Sequence, residues 1–293
     1  MTLARVCDTL YSMKKRGKPM GKFSGILICT DLDGTLYKND KTISKENKDA
    51  IEYFKQEGGL FTFVTGRLPY YSKWAYEAVS PNAPFGCING GGLYDGEADR
   101  YVRASVLPHE FTELVGHIEK NFPEVGIQIC CLDKTYFAKE TPQMKRFRAM
   151  TGLPDLFCHY LDVKEPVGKA LFGTECEEEM QAVIRALHEH PLACKFSFIR
   201  SERTLYEILP KGTHKGLSID KLSEHLGIDK SRIIAVGDYD NDVGMLKAAG
   251  LGIAVANATP AAREAADAMT VSNEEHAIAD VIYGIESGKY KLN

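Results

Sequence analysis

The stretch ICTDLDGTLY, residues 28–37, decides how the rest of the chain is read. It continues an apolar run, GILICT (25–30), that lacks alternation, the pattern of a strand buried on both faces. Asp31 and Asp33 follow at once, then Gly34 and Thr35. Two like charges so close together repel, so their placement calls for a compensating partner. Residues two apart in a strand face the same way, which predicts Asp31 and Asp33 side by side where the first strand ends. Gly34 permits a sharp departure of the chain. In open parallel sheets the carboxyl ends of the strands border the ligand crevice, so acids at a strand tip are placed for chemistry.

Outward from this point the chain alternates strands and helices. Ser44 suits an N-cap, and Ile43, Ala50, Ile51 and Phe54 form an apolar stripe that stops at Gly58-Gly59. LFTFVT (60–65) and PFGCIN (84–89) read as a second and third buried strand. The character changes after about Leu107. Phe111, Leu114, Val115, Ile118 and Phe122 share one helix face, and short strands are expected near GIQICC and KTYFAK. A helix beginning among Glu175 and Glu177–Glu179 is followed by a strand pair, CKFSFIR and RTLYEIL. Alternation resumes at Lys211, with a helix over about 215–226 and strands RIIAV (232–236), LGIAV (251–255) and AMTV.

The expected fold class is therefore α/β. A Rossmann-like core, a parallel sheet flanked by helices, comprises 25–104 and 210–293, and an inserted α+β domain spans 105–209. Residues 1–24 are basic and carry no apolar signal core, so they are expected to form a poorly ordered extension.

Composition narrows the function. With 44% apolar and 26% charged residues the chain is of ordinary globular make-up. A net charge of −4 argues against a nucleic-acid partner, because phosphate backbones attract basic surfaces. No apolar stretch approaches the roughly 20 residues that span a membrane. The eight cysteines show no C-x-x-C spacing and read as reduced thiols of a cytoplasmic protein. A monomer or weak homodimer acting on a small molecule is expected.

Three further strand ends or helix starts carry polar groups. Thr65-Gly66-Arg67 offers a hydroxyl and backbone amides leading to a helix, a good anion seat. The strand at 232–236 leads to Gly237, Asp238, Asn241 and Asp242, and Lys215 opens another helix. Acids alone repel one another; Mg²⁺ resolves that, since it takes oxygen ligands and shares them with a substrate phosphate. Lys215 then adds a second neutralising charge. In chemical terms, Asp31 attacks phosphorus to give an aspartyl-phosphate, while Asp33 protonates the leaving alcohol and later deprotonates water. Helix capping is the competing reading for each of these acids taken singly, and Asp240 is read as an exposed cap. Trp74, Tyr70, Tyr71 and Tyr76 read as packing. Arg146, Arg148, His159, Lys195, Arg200 and Arg203 are candidates for recognising a leaving group.

DLDGTL (31–36), TGR (65–67), Lys215 and GDYDND (237–242) resemble, in order, the four motifs of haloacid dehalogenase (HAD) superfamily phosphatases. The large insert, with NGG (89–91) before it and VANA (255–258) after, is similar to the Cof-type branch with a type IIB cap. The resemblance implies Asp31 as nucleophile and Asp33 as acid/base. Mg²⁺ would be held by the Asp31 carboxylate, the Asp33 backbone carbonyl and Asp238, with Asp242 in support. Thr65, Gly66 and Lys215 would bind phosphate with Asn241 beside it, and Asn89 and Asn257 would shape the surrounding loops. VANA departs from the branch, which usually has a Gly before the Asn. The implied activity is Mg²⁺-dependent hydrolysis of small phosphomonoesters such as sugar phosphates. A sugar phosphomutase and a non-catalytic binding protein on the same fold are the alternatives; a dehalogenase has no use for Asp33 or the metal.

Overall fold

The computed structural model describes residues 21–292. Most of the expected N-terminal extension lies outside them. Its last residues form a turn in which Phe23 is buried against Phe54, ring centroids 4.7 Å apart.

The first part of the chain runs β1 (Leu27–Thr30), α1 (Lys45–Gln56), β2 (Leu60–Phe63), α2 (Lys73–Val79), β3 (Phe85–Cys87), β4 (Gly92–Asp95) and β5 (Arg100–Ala104). The middle runs α3 (Phe111–Asn121), β6 (Gly126–Cys131), β7 (Thr135–Lys139), α4 (Pro142–Thr151), β8 (Val167–Gly173), α5 (Glu177–Glu189), β9 (Phe196–Glu202) and β10 (Leu205–Pro210). The last part runs α6 (Gly216–Leu226), β11 (Ile233–Gly237), α7 (Val243–Ala248), β12 (Leu251–Ala254), α8 (Pro260–Ala265), β13 (Ala268–Met269) and α9 (Ala277–Ser287).

These strands form a parallel sheet in the order β13-β12-β11-β1-β2, flanked by helices, together with two antiparallel sheets. The molecule is α/β, as its alternation predicts. Every residue of β1 and β11 is buried, which explains their unbroken apolar composition. The chain leaves β1 toward β2 on one side and returns to β11 on the other. The strand order thus reverses at β1, and a crevice opens beyond the strand ends there. Helix α1 is held by its N-cap, Ser44, whose hydroxyl accepts from the Asn47 amide, and it buries Ala50, Ile51 and Phe54.

The second sheet, β7-β6-β8-β10-β9, separates its faces by simple alternation. Ile127, Ile129, Cys131, Ala170, Phe172, Tyr206 and Ile208 pack against α3 and α5 in a core of their own. Gln128, Cys130, Lys169, Leu171 and Glu207 point the other way, toward the tips of the parallel strands. The vicinal Cys130-Cys131 pair is split between these faces, as a strand requires.

Three features differ from the sequence reading. PFGCIN does supply a strand, but β3 belongs to a three-stranded antiparallel sheet with β4 and β5, joined to the parallel sheet by one bridge, Val64–Gly86. The chain reverses through Ile88, Asn89 and Gly90, all at positive φ, so β3 cannot lead into a crossover helix. Strand β8 and the β4–β5 hairpin were not anticipated. Nor was α4, although Thr141 caps it, Pro142 opens it and Gly152 (φ 66°) ends it.

Candidate active site

Strand β1 stops at Thr30, and Asp31 is the first residue beyond it, its amide donating to Val236 O at 2.8 Å. Asp31 is 5% exposed and Lys215, at the start of α6, 1%. Lys215 Nζ donates to Asp31 Oδ1 and to Asp242 Oδ1, both at 2.6 Å. Asp242 turns its other oxygen to the backbone amides of Asp238 and Tyr239, each at 3.0 Å. Asp238 Oδ1 accepts from Thr35 Oγ1 at 2.8 Å. Gly34 sits between, at φ 82°, where a Cβ would lie 2.4 Å from Asp238 Oδ2. Only glycine allows the loop to pass so close to that carboxylate.

Carboxylate oxygens of Asp31, Asp238 and Asp242 lie within 4.8 Å of one another. One ammonium thus faces three acids. Burial, reinforced by the neighbouring carboxylates against the pull of Lys215, raises the proton affinity of Asp31 well above the usual carboxylate range. Asp238 is pushed up to about 7 by burial first and the Asp242 charge second. Burial opposes the charge on Lys215, but Asp242 and Asp31 outweigh it and hold the ammonium more firmly protonated than a free lysine.

The donor set fits a hard divalent cation. Lys215 occupies one oxygen of Asp31 and Thr35 one oxygen of Asp238, so each keeps an Oδ2 with no hydrogen-bond partner among the described residues. Both oxygens of Asp242 are engaged, which makes it a support for Lys215 and the 238–239 backbone.

Asp33 is arranged otherwise. Because β1 ends before Asp31, strand alternation does not set its direction. Its carboxylate receives Arg67 Nε at 3.0 Å, Arg67 Nη2 at 2.8 Å and Lys41 Nζ at 2.9 Å. Burial disfavours its charge, yet the Arg67 and Lys41 cations outweigh burial and keep its pKa below the ordinary value.

Asp31, Asp33, Thr65, Gly66, Lys215, Asp238 and Asn241 all line one cavity of about 1060 Å³. The site residues are brought together from four distant segments. Asn89 and Asp242 are buried behind that surface, and Asn257 is exposed outside it. Asn241 Nδ2 donates to Asn89 Oδ1 at 3.2 Å, and Asn257 Nδ2 holds Gly34 O at 2.8 Å.

A family model for haloacid dehalogenase-like hydrolases matches residues 28–282. The chain belongs to that family. One relative of this HAD-like hydrolase is the 5-amino-6-(5-phospho-D-ribitylamino)uracil phosphatase YitU of Bacillus subtilis, 28% identical over 256 residues that cover 86% of this chain and 94% of the relative. A haloacid dehalogenase-like hydrolase from Bacteroides thetaiotaomicron matches in structure at a TM-score of 0.79 and 26% identity, covering 89% of this chain and 99% of its own. The HAD subclass IIB sugar phosphatase BT4131 shares the fold at a TM-score of 0.77 and 21% identity, over 89% of this chain and 99% of that one. The HAD-like hydrolase described here is an enzyme, a hydrolase of phosphoric monoesters.

Of the six leaving-group candidates in the insert, only Arg203 lines the cavity. The five Arg and Lys candidates are engaged by carboxylates at the surface: Arg146 by Glu175, Arg148 by Glu140 and Asp155, Lys195 by Glu110, Arg200 and Arg203 by Glu177. His159 has Glu119 at 3.8 Å. Among the charges that reach the cavity from the second sheet are Lys169 and Glu207, which sequence reading passed over, with Glu202 at the end of β9. The signal for Lys169 and Glu207 is a single charged residue inside an otherwise apolar strand, VGKALFG and LYEILP. Trp74, read as packing, is 50% exposed and lines the cavity with Tyr70 and Tyr71.

Proposed function

We propose that this HAD-like hydrolase is a Mg²⁺-dependent phosphatase of small phosphomonoesters, sugar phosphates among them, acting through an aspartyl-phosphate on Asp31. The reading rests above all on the buried Asp31, bonded to Lys215 at 2.6 Å and bordering the same cavity as Thr65 and Gly66. Asp31 attacks phosphorus, and the bond to the leaving oxygen breaks as Asp33 supplies a proton. Water then attacks the phosphoryl group, Asp33 takes its proton, and inorganic phosphate leaves with the Asp31 carboxylate restored. The ionised Asp33 held by Arg67 and Lys41 is the form needed for the second step; the first requires that grip to open. Thr65, the Gly66 amide, Lys215 and Asn241 hold the phosphate. Mg²⁺, bound by the Asp31 and Asp238 carboxylates and the Asp33 carbonyl with Asp242 in support, supplies charge neutralisation of the phosphate.

In the same reading, residues 25–104 and 210–293 are the core and 105–209 a type IIB cap. In support, β6–β10 pair only with one another among the described strands. No helix among the described residues is long and apolar enough to cross a membrane. The same reading makes this a cytoplasmic enzyme with neither membrane nor nucleic acid as partner.

The test is Asp31→Asn with p-nitrophenyl phosphate. The variant keeps its circular dichroism spectrum and loses turnover, and wild-type turnover stops in excess EDTA. Full turnover in either case overturns the mechanism. Interconversion of sugar phosphate isomers with little free phosphate would point instead to a mutase.

A further inference from the structure

Resting on that reading, we propose that Lys169 and Glu207 are positioning residues of the phosphate site, so that the second sheet completes the catalytic machinery as well as covering it. Lys169, on β8, is 5% exposed and Glu207, on β10, 2%. Their side chains are bonded at 2.7 Å. Each also reaches across to the parallel-sheet side. Lys169 Nζ donates to Gly66 O at 2.9 Å, and Glu207 Oε2 accepts from Asn89 Nδ2 at 2.8 Å. The Asn89 carboxamide in turn accepts from Asn241 through Oδ1.

The geometry is a closed relay between two groups that border the phosphate. At one end is the Gly66–Arg67 peptide, whose carbonyl Lys169 fixes and whose N–H, from Arg67, donates to Thr65 Oγ1 at 3.2 Å. At the other is Asn241, oriented by Asn89. Gly66 and Asn89 are also in contact, since a Cβ on Gly66 would lie 2.9 Å from Asn89 Nδ2. The backbone that carries Asn89 is strained, with φ 55° at Ile88 and 51° at Asn89. A β-branched residue in that region is an outlier that persists only when its surroundings over-determine it. Glu207 holds the Asn89 side chain there, beside backbone bonds from Ile88 N to Arg67 O at 3.0 Å and from Asn89 N to Thr65 O at 3.1 Å. Burying a carboxylate and an ammonium is costly unless both are well bonded, and here each makes a second bond to a residue bordering the site.

The pair acts on the phosphate, not on the leaving group. Glu207→Gln and Lys169→Met are therefore expected to lower kcat for p-nitrophenyl phosphate and for a sugar phosphate by the same factor, about 10- to 100-fold. Inhibition by inorganic phosphate should weaken in parallel. The double variant Lys169→Met/Glu207→Leu separates positioning from stability: it should melt at or above the single variants and remain impaired, with Lys169→Arg partly rescuing activity. Loss confined to the sugar phosphate, or a double variant with restored turnover, overturns the proposal. Wild-type enzyme that releases no phosphate from either substrate defeats the functional reading instead, so the two failures are distinct.

Discussion

At the scale of single residues the site is governed by an excess of negative charge. Among the described residues Lys215 is the one cation bonded inside the acid cluster, so Lys215→Met leaves Asp31 and Asp242 buried without their counter-charge. Breaking a buried pair from one side costs about 3 to 5 kcal/mol. We expect that loss in urea unfolding of the EDTA-treated variant, together with abolished turnover. Asp238 gives a pH signature. Its folded pKa of about 7 exceeds its ordinary 3.8, so between those values the metal-free folded state binds more protons than the unfolded chain. Stability from this group is complete below about pH 4 and is lost as pH rises through about 7. EDTA-treated wild type should therefore lose melting temperature between pH 5 and 8 more steeply than Asp238→Asn. Parallel curves for the two proteins contradict the assignment.

At the scale of elements, the loop after β1 matters most. Gly34→Ala would place a methyl 2.4 Å from Asp238 Oδ2 at a left-handed φ of 82°. The conformational cost is about 1 to 2 kcal/mol for an L-residue, too little to unfold the domain. The carboxylate, however, must move. Calorimetric titration should show weakened Mg²⁺ binding, and kcat should fall while the melting temperature shifts by only a few degrees. Wild-type Mg²⁺ affinity in that variant would mean Asp238 Oδ2 is not a ligand. Elements also show what the sequence could and could not reveal. Asp31, Thr65, Lys215 and Asp238 were legible because each sits at a strand end or helix start that local pattern locates. The Lys169–Glu207 pairing was not: each strand shows a lone charge, but their meeting depends on an antiparallel register between β8 and β10 that local pattern does not encode. The partners of Asp33 were hidden for a similar reason: β1 ends three residues before it, and Arg67 and Lys41 hold its carboxylate.

At the scale of the whole molecule, the cavity of about 1060 Å³ lies between the tips of the parallel strands and one face of the second sheet. Tyr70 bridges the two sides through Thr135 Oγ1 at 2.6 Å, and Tyr101 does so through Leu132 O at 3.0 Å. These contacts hold the second sheet over the strand tips, so a phosphate carried by a folded protein is expected to be hindered. Activity on a phosphorylated protein should accordingly fall at least about 100-fold below that on a free sugar phosphate, measured as kcat/KM. Equal rates would show that the two sides separate freely in solution.

The bond between Asp31 and Lys215 spans 184 positions, and that between Thr35 and Asp238 spans 203. A ribosome therefore releases Asp31 long before its counter-charge has been polymerised. Until β11 slots beside β1, the emerging polypeptide holds a solvated aspartate with ordinary acidity and no reactivity toward esters. On the proposed mechanism, catalytic competence arrives only once Asp238 and Asp242 have been added, so chains cut short before them are expected to carry no activity.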